Sequence, residues 1–223
     1  MEESTRSSRP KDNPDDHKAN MLNGLPFLHS APVLIEDRKR CKLSLRQFHD
    51  AENPSMNIAD SERHRKLVEI FVPPPNLTGH KADPQRHPIG SFGHGSVVET
   101  PFRCQYGYNI KIAENVFIGE NCSIVDACGV IIGAKTWIGQ NVQILTAMAQ
   151  TQMQTRPAGN LAMWQGKRVH IEEDVHIGAG AIIYPGVTIG AGAMIEPGTI
   201  VKQDVPRWKQ APMMEWMNEQ PRR

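Results

Sequence analysis

Nine histidines and four cysteines are the strongest nucleophile, base or metal-ligand candidates in this 223-residue chain. Their spacing excludes more than it suggests. Cys41, Cys104, Cys122 and Cys128 lack the CxxC spacing of a metal site and read as reduced thiols of a cytosolic protein. Cys122 and Cys128 suit packing better than nucleophilic attack. His170 and His176 lie six residues apart. In the architecture argued below, that spacing puts them on adjacent faces, which disfavours a metal pair. His80, His87 and His94 fall in or beside a Pro/Gly-rich loop, where a solvated histidine and a substrate-adjacent one are equally plausible. Lys202, Arg207 and Lys209 form a basic end that either pairs with phosphates or is a solvated terminus. Trp164 lies in a polar interruption and suits a pocket mouth or an exposed loop anchor. Trp137 is expected on the outside of its element, or at a seam between subunits.

The element that must position these groups announces itself as a six-residue beat. Ile112, Ile118 and Ile124 are followed by Ile132, Ile138 and Ile144, then Ile171, Ile177 and Ile183, then Ile189, Ile195 and Val201. A repeat this short means a solenoid. Three hexads make one turn of a three-sided parallel β-helix, with the aliphatic pointing inward and stacking on its copies. Gly119, Gly133, Gly139, Gly178 and Gly190 follow the aliphatic, where the backbone bends. Asn115, Asn121 and Asn141 suit corners because asparagine tolerates the left-handed region. The beat breaks twice: two extra residues separate Ile124 from Ile132, and a long polar stretch separates Ile144 from Ile171. Long insertions in solenoids loop out on one side and often serve function.

Four segments follow from this reading. Residues 1–20 are polar and expected to be disordered. Residues 21–95 form an N-terminal helical region and a Pro/Gly loop. Within it, 33–48 place Leu34, Ile35, Arg38, Cys41, Leu45 and Phe48 at helical spacing, and 60–71 form a second helix with Leu67, Ile70 and Phe71 apolar and Asn57 or Asp60 as cap. Residues 96–206 form the β-helix, with 96–108 as a ragged entry turn and an extruded loop at about 146–168. Residues 207–223 are a tail that covers the last coil, whose strand edges would otherwise be open. The net charge of +1 gives no electrostatic case for nucleic acid or a membrane surface. No run is apolar enough for a transmembrane helix or a secretory signal.

The run PFRCQYGYNIKIAENVFIGENCSIVD, then IGQNVQILTA and IGAGAIIYPGVTIGAGAMIEPGTIVKQDVP, resembles the hexapeptide-repeat O-acetyltransferases of the maltose, galactoside and nodulation-factor type. The likeness spans about residues 25–206. PGVTIG and V-x-x-DVP are common to hexapeptide acyltransferases, whereas PFRCQYGYNI is much more specific to this subfamily. The resemblance implies an all-β, left-handed parallel β-helix behind an N-terminal helical region, assembled as a homotrimer with sites between subunits. It implies acetyl-CoA as co-substrate, a hydroxyl of a sugar or a secondary metabolite as acceptor, and no metal. It also implies a histidine general base, an asparagine that holds the thioester oxyanion, and an N-terminal aspartate that supports the acceptor. The γ-class carbonic anhydrases share the coil but need three zinc histidines, for which no fitting set exists here.

The chain departs from that family pattern where the chemistry should be. Ala149 occupies the position of the catalytic histidine, and no histidine lies between His94 and His170 to replace it. Gly119 occupies the oxyanion asparagine position. Leu28 falls on the aspartate, Ala127 on an acceptor-contacting acid, and His176 on a tryptophan of the later coils. A positioned base contributes roughly 10²–10⁴ in rate and an oxyanion donor about 2.7–4 kcal/mol. Two readings follow. In one, the chain is an O-acetyltransferase that uses His176 or Asp126 as base. Ala179, Pro197, Lys202 and Arg207 then meet the coenzyme, and Arg38, Phe117 and Trp164 meet the acceptor. In the other, it is an inactive trimer or a pocket reused for another small-molecule reaction. A surface or trimer-packing role is the plain alternative for His176, and a helix-surface charge for Arg38.

Overall fold

The structure is a computed structural model that describes residues 14–74, 90–149 and 163–211. A three-sided parallel β-helix forms its body. Its first flat stacks Ser91–Phe92, Ile110–Ile112, Val130–Ile132, Val169–Ile171 and Thr188–Ile189. The second stacks Val97–Val98, Phe117–Ile118, Trp137–Ile138, His176–Ile177, Met194–Ile195 and Gln210–Ala211. The third stacks Arg103–Cys104, Ser123–Val125, Gln143–Leu145, Ile182–Ile183 and Ile200–Val201.

All twelve aliphatics of the beat meet their copies in register. Ile112, Ile132, Ile171 and Ile189 form one column. Ile118, Ile138, Ile177 and Ile195 form the second. Ile124, Ile144, Ile183 and Val201 form the third. All are buried, and burial of one such side chain contributes about 1.5–3 kcal/mol.

The coil begins at Ser91, ahead of the expected boundary at 96, and is regular from its first turn. Phe92 pairs with Ile112, Val98 with Ile118 and Cys104 with Ile124, so the segment taken for a ragged entry turn is the first regular coil. At the other end, Gln210–Ala211 adds a strand beyond residue 206. Residues 212–223 lie outside the described residues, as do His80 and His87.

Corner chemistry follows the backbone. Asn115, Asn121 and Asn141 have φ of 55°, 59° and 60°, the left-handed region that asparagine tolerates. Between the second and third flats, a Cβ on Gly119 would fall 2.8 Å from the Gln140 nitrogen, one on Gly139 2.8 Å from the Ala179 nitrogen, and one on Gly178 2.5 Å from the Pro197 nitrogen. Glycine is required there because each coil's backbone lies directly against the next.

Three helices pack against this body: α1 (Pro14–Leu22), α2 (Pro32–Asp50) and α3 (Asp60–Phe71). α2 buries Leu34, Cys41, Leu45 and Phe48 as its spacing predicts, while Ile35 stays at the surface. α3 has the predicted bounds and buries Leu67, Ile70 and Phe71. Its N-cap is Ala59, without a side-chain bond, so neither Asn57 nor Asp60 caps it. α1 corrects the expectation of disorder for residues 14–20; residues 1–13 lie outside the described residues. α1 has little apolar signal, yet it docks through buried Met21 and through Lys18, whose ammonium lies 2.8 Å from Asp37 of α2. No described helix is long and apolar enough to cross a membrane.

Candidate active site

The corner between the third and first flats breaks the regularity of the coil. Cys104 to Ile112 and Ile124 to Ile132 each span eight positions rather than six, and Ile144 to Ile171 carries the long insertion. The extra residues bulge outward in a stack. Asp126 holds the stack together. Its carboxylate is fully buried and accepts the backbone N–H groups of Gln105 (2.7 Å), Tyr106 (3.0 Å) and Gly107 (2.7 Å). Asn109 Nδ2 donates to the Asp126 carbonyl at 2.6 Å. Thr146 Oγ1 accepts from the Cys128 N–H at 2.8 Å and donates to the Val125 carbonyl at 2.6 Å.

From this corner the insertion leaves as a hairpin. Ala147–Ala149 pairs antiparallel with Met163–Gly166, and Phe27–Leu28 of the cap joins as a third strand. Phe27, Trp164 and Ala149 stand directly opposite one another across the three strands. The cap closes over the same corner. Met21, Phe27, Ala31 and Leu34 pack with Tyr106, Tyr108, Ala127 and Ala147, and Trp164 lies against the cluster.

Arg38 ties this assembly together. Its Nη1 donates to the Tyr106 hydroxyl at 2.7 Å and its Nη2 to the His29 carbonyl at 2.8 Å. The His29 ring stacks on Trp164 with centroids 4.4 Å apart. Its Nε2 is enclosed and has no hydrogen-bond partner among the described residues. The Tyr108 hydroxyl donates to Asp37 Oδ2 at 2.7 Å, and Arg40 Nη2 donates to the Tyr106 carbonyl.

The environment sorts these groups by their availability for proton transfer. Burial pushes the Asp126 carboxyl up to about 6, against the pull of the amides it accepts. The oxygens are committed to those amides, so Asp126 organises the turn; the structure does not give it the open edge a base needs. Burial holds the Tyr106 phenol up at about 12 and Tyr108 well above its usual range. The Cys122 and Cys128 thiols are pushed up to about 11, again by burial, and Cys128 Sγ donates to the Met21 carbonyl. His29 moves the other way: burial, and then the Arg38 charge, lower its pKa and keep its ring neutral.

The sequence-predicted site residues divide into separate groups. Arg38 and Trp164 come together at the cap and hairpin, beside Asp126. Phe117 and His176 lie elsewhere, on the second flat, in an aromatic ladder: Phe117 stacks on Trp137 (5.8 Å, 12°) and Trp137 on the exposed His176 (4.4 Å, 11°). His170 faces outward on the first flat, so it does not converge with His176. Among the described residues, no group of three or more His, Cys, Asp or Glu is placed to hold a metal.

The four coenzyme candidates also fall apart within one chain. Ala179 and Pro197 stack at the corner between the second and third flats, where the Gly198 N–H donates to the Ala179 carbonyl. Lys202 follows the third flat and lies over the Tyr184 ring. Arg207 is at the corner between the first and second flats, 3.8 Å from Glu172 and 3.9 Å from Glu173. Ala179 and Pro197 are the two of the four that share a corner. Arg207, already ion-paired, is a poorer phosphate partner. Sequence reasoning overlooked His29 and gave Tyr106 no role. The only signal for His29 was its place next to Leu28, where the family carries its aspartate.

Comparison with known proteins fits this geometry. Residues 20–73 match the model described as maltose acetyltransferase hexapeptide capping motif. Residues 109–146 match the hexapeptide repeat of succinyl-transferase, and 168–203 the bacterial transferase hexapeptide (six repeats). The chain is 45% identical to nodulation protein L of Rhizobium meliloti over 54% of its own length and 64% of that protein. It is 30% identical to a putative acetyltransferase of Saccharomyces cerevisiae over 78% of its own length and 76% of that protein. Its fold superimposes, with a TM-score of 0.68 and 26% identity, on a hexapeptide-repeat containing acetyltransferase of Vibrio cholerae complexed with acetyl coenzyme A, covering 86% of this chain and 90% of that one. The chain belongs to the hexapeptide-repeat acetyltransferases of the maltose, galactoside and nodulation-factor type.

Proposed function

We propose that the protein is an acetyl-CoA-dependent O-acetyltransferase that acts on a hydroxyl of a small molecule, a sugar or a secondary metabolite, with a rearranged catalytic site. One observation carries this reading: the capping helices, the bulged corner and the hairpin close around a polar cluster in which Arg38, Tyr106, His29 and Trp164 are locked by specific contacts. A coil retained only as a scaffold has no need of that construction. The structural likeness to an acetyltransferase crystallised with acetyl coenzyme A supports the same donor here. Ala179 and Pro197 are assigned to the pantetheine arm, and Lys202 to its phosphates.

The working unit is taken to be a homotrimer. Its second flat leaves Val97, Trp137 and Met194 between 40% and 48% exposed, an apolar strip suited to cover by another copy. A monomer by light scattering would sink this. Four buried, unpaired thiols suit a reducing, cytoplasmic setting.

A non-acetylating role is the second reading, favoured by Gly119. The backbone of the next coil closes over it, so this corner offers no oxyanion side chain and no room for one. Calorimetric titration with CoA and acetyl-CoA separates the two. Micromolar binding is expected; a folded protein that ignores both ligands refutes the enzyme reading.

A further inference from the structure

We infer that His29 is the general base of the reaction, displaced from the hairpin position where Ala149 stands to the neighbouring cap segment. This rests on the acetyltransferase reading above.

The argument starts from an anomaly. A buried polar atom without a partner costs about 1–3 kcal/mol, and a native structure that keeps one needs a reason. Among the described residues the enclosed side-chain atoms in this condition are His29 Nε2, Arg40 Nη1, Gln105 Oε1, Asn109 Oδ1 and Thr199 Oγ1. All but Thr199 belong to the cap or to the first bulge of the corner it covers. Hydrogen-bonding capacity is therefore left unused at one end of the molecule, where the candidate acceptor residues lie.

His29 is the member of this set able to take a proton at neutral pH. The other titratable groups around it do not compete. Tyr106 and Tyr108 stay protonated, and Asp126 is committed to its amides. Arg38 is occupied by Tyr106 and the His29 carbonyl. His17 Nδ1 accepts the Leu28 N–H at 3.4 Å, and His49 Nε2 accepts the Phe102 N–H at 3.2 Å.

Position supports the same assignment. Ala149 stands opposite Trp164 in the hairpin, and the His29 ring lies on that indole. Trp164 thus touches the imidazole with its ring and pairs through its backbone with the position where the resemblance leads one to expect the base. Arg38 acts as a positioning residue: its bond to the His29 carbonyl fixes the segment, and its charge helps keep the ring neutral until the proton arrives.

The step balances. The acceptor O–H gives its proton to Nε2 of a ring protonated on Nδ1, as its oxygen bonds to the thioester carbonyl carbon. The C–S bond then breaks, and the imidazolium returns the proton to the departing CoA sulfur. The products are the acetyl ester and free CoA. The His29 residue is only half-buried, and χ2, the torsion that orients its ring, is soft.

The test is thiol release from acetyl-CoA with water, maltose and a β-galactoside as acceptors. It compares wild type, His29→Gln, His176→Ala, and Ala149→His placed in the His29→Gln background. Calorimetry of acetyl-CoA binding and a thermal melt run alongside. The expected result is a loss of about 10²–10⁴-fold in His29→Gln with donor affinity and melting retained, and recovery of rate when Ala149→His is added. His176→Ala should stay near wild type. Wild-type and His176→Ala rates should also fall with acidification along one limb, set below the ordinary imidazole pKa. A His29→Gln protein within threefold of wild type overturns the assignment, as does a wild type that binds acetyl-CoA but releases no thiol. In that last case donor binding still stands. Absence of binding overturns the acetyltransferase reading itself.

Discussion

The two kinds of corner in the coil are built on opposite terms. Where the second flat turns into the third, Gly119, Gly139 and Gly178 stack with no room for a side chain. The backbone there is fixed by close steric contact and regular coil-to-coil hydrogen bonds, and the glycines bring no side-chain chemistry. Where the third flat turns into the first, extra residues push outward, and polar bonds replace steric contact. Asp126 anchors one bulge to another, Thr146 links the hairpin base to Cys128, and the cap seals the surface. Regular repetition makes a rigid frame, and irregularity within it makes a site. Among the described residues, all the enclosed unpaired side-chain atoms but Thr199 Oγ1 lie on the irregular side or in the cap over it.

The sharpest way to break this comparison is Asp126→Ala. It orphans the buried amides of Tyr106 and Gly107, at about 1–3 kcal/mol each, and the part-buried one of Gln105, so a loss of about 4 kcal/mol or more is expected in urea unfolding. A loss below about 1 kcal/mol would mean that the corner does not depend on this residue. Ile138→Ala tests the frame, where a cavity in the column should cost about 3 kcal/mol. If that variant proved worse than Asp126→Ala, steric stacking would dominate both corners. Smaller again is Gly119→Asn, whose Cβ meets the Gln140 nitrogen. About 1–3 kcal/mol of overpacking is expected, with no gain in acetyl transfer. A faster enzyme would show that this corner opens. His176→Ala, on an exposed face with a stacking partner, should change stability by under about 1 kcal/mol.

Much of the frame was legible because its signal is strictly periodic. Every Ile of the beat found its column, and the corner asparagines took the left-handed backbone expected of them. The first coil was missed because Phe92, Val98 and Cys104 keep the six-residue spacing with mixed residue types. Helix α1 was missed because it docks through Met21 and a buried ion pair rather than an apolar stripe. At the site, Arg38 and Trp164, expected to meet the acceptor, lie together at the cap and hairpin, whereas Phe117 does not join them. Asp126 was noticed as a possible base, while its three amide donors are visible only in the folded corner. His176 attracted attention as a histidine within a repeat, yet it belongs to an outward aromatic ladder.

The sequence by itself determined the coil, because a side-chain period of six leaves one way to bury every sixth residue. It also put Ala149 and Gly119 where the resemblance leads one to expect a base and an oxyanion donor. Only the tertiary structure decided which groups stand in their vicinity. His29 lies in the turn just after the short cap strand Phe27–Leu28, and it gains its meaning from Trp164 on a distant hairpin and Arg38 on a helix. No local pattern encodes that meeting. It comes from the cap folding down onto a corner whose extra residues had already broken the repeat.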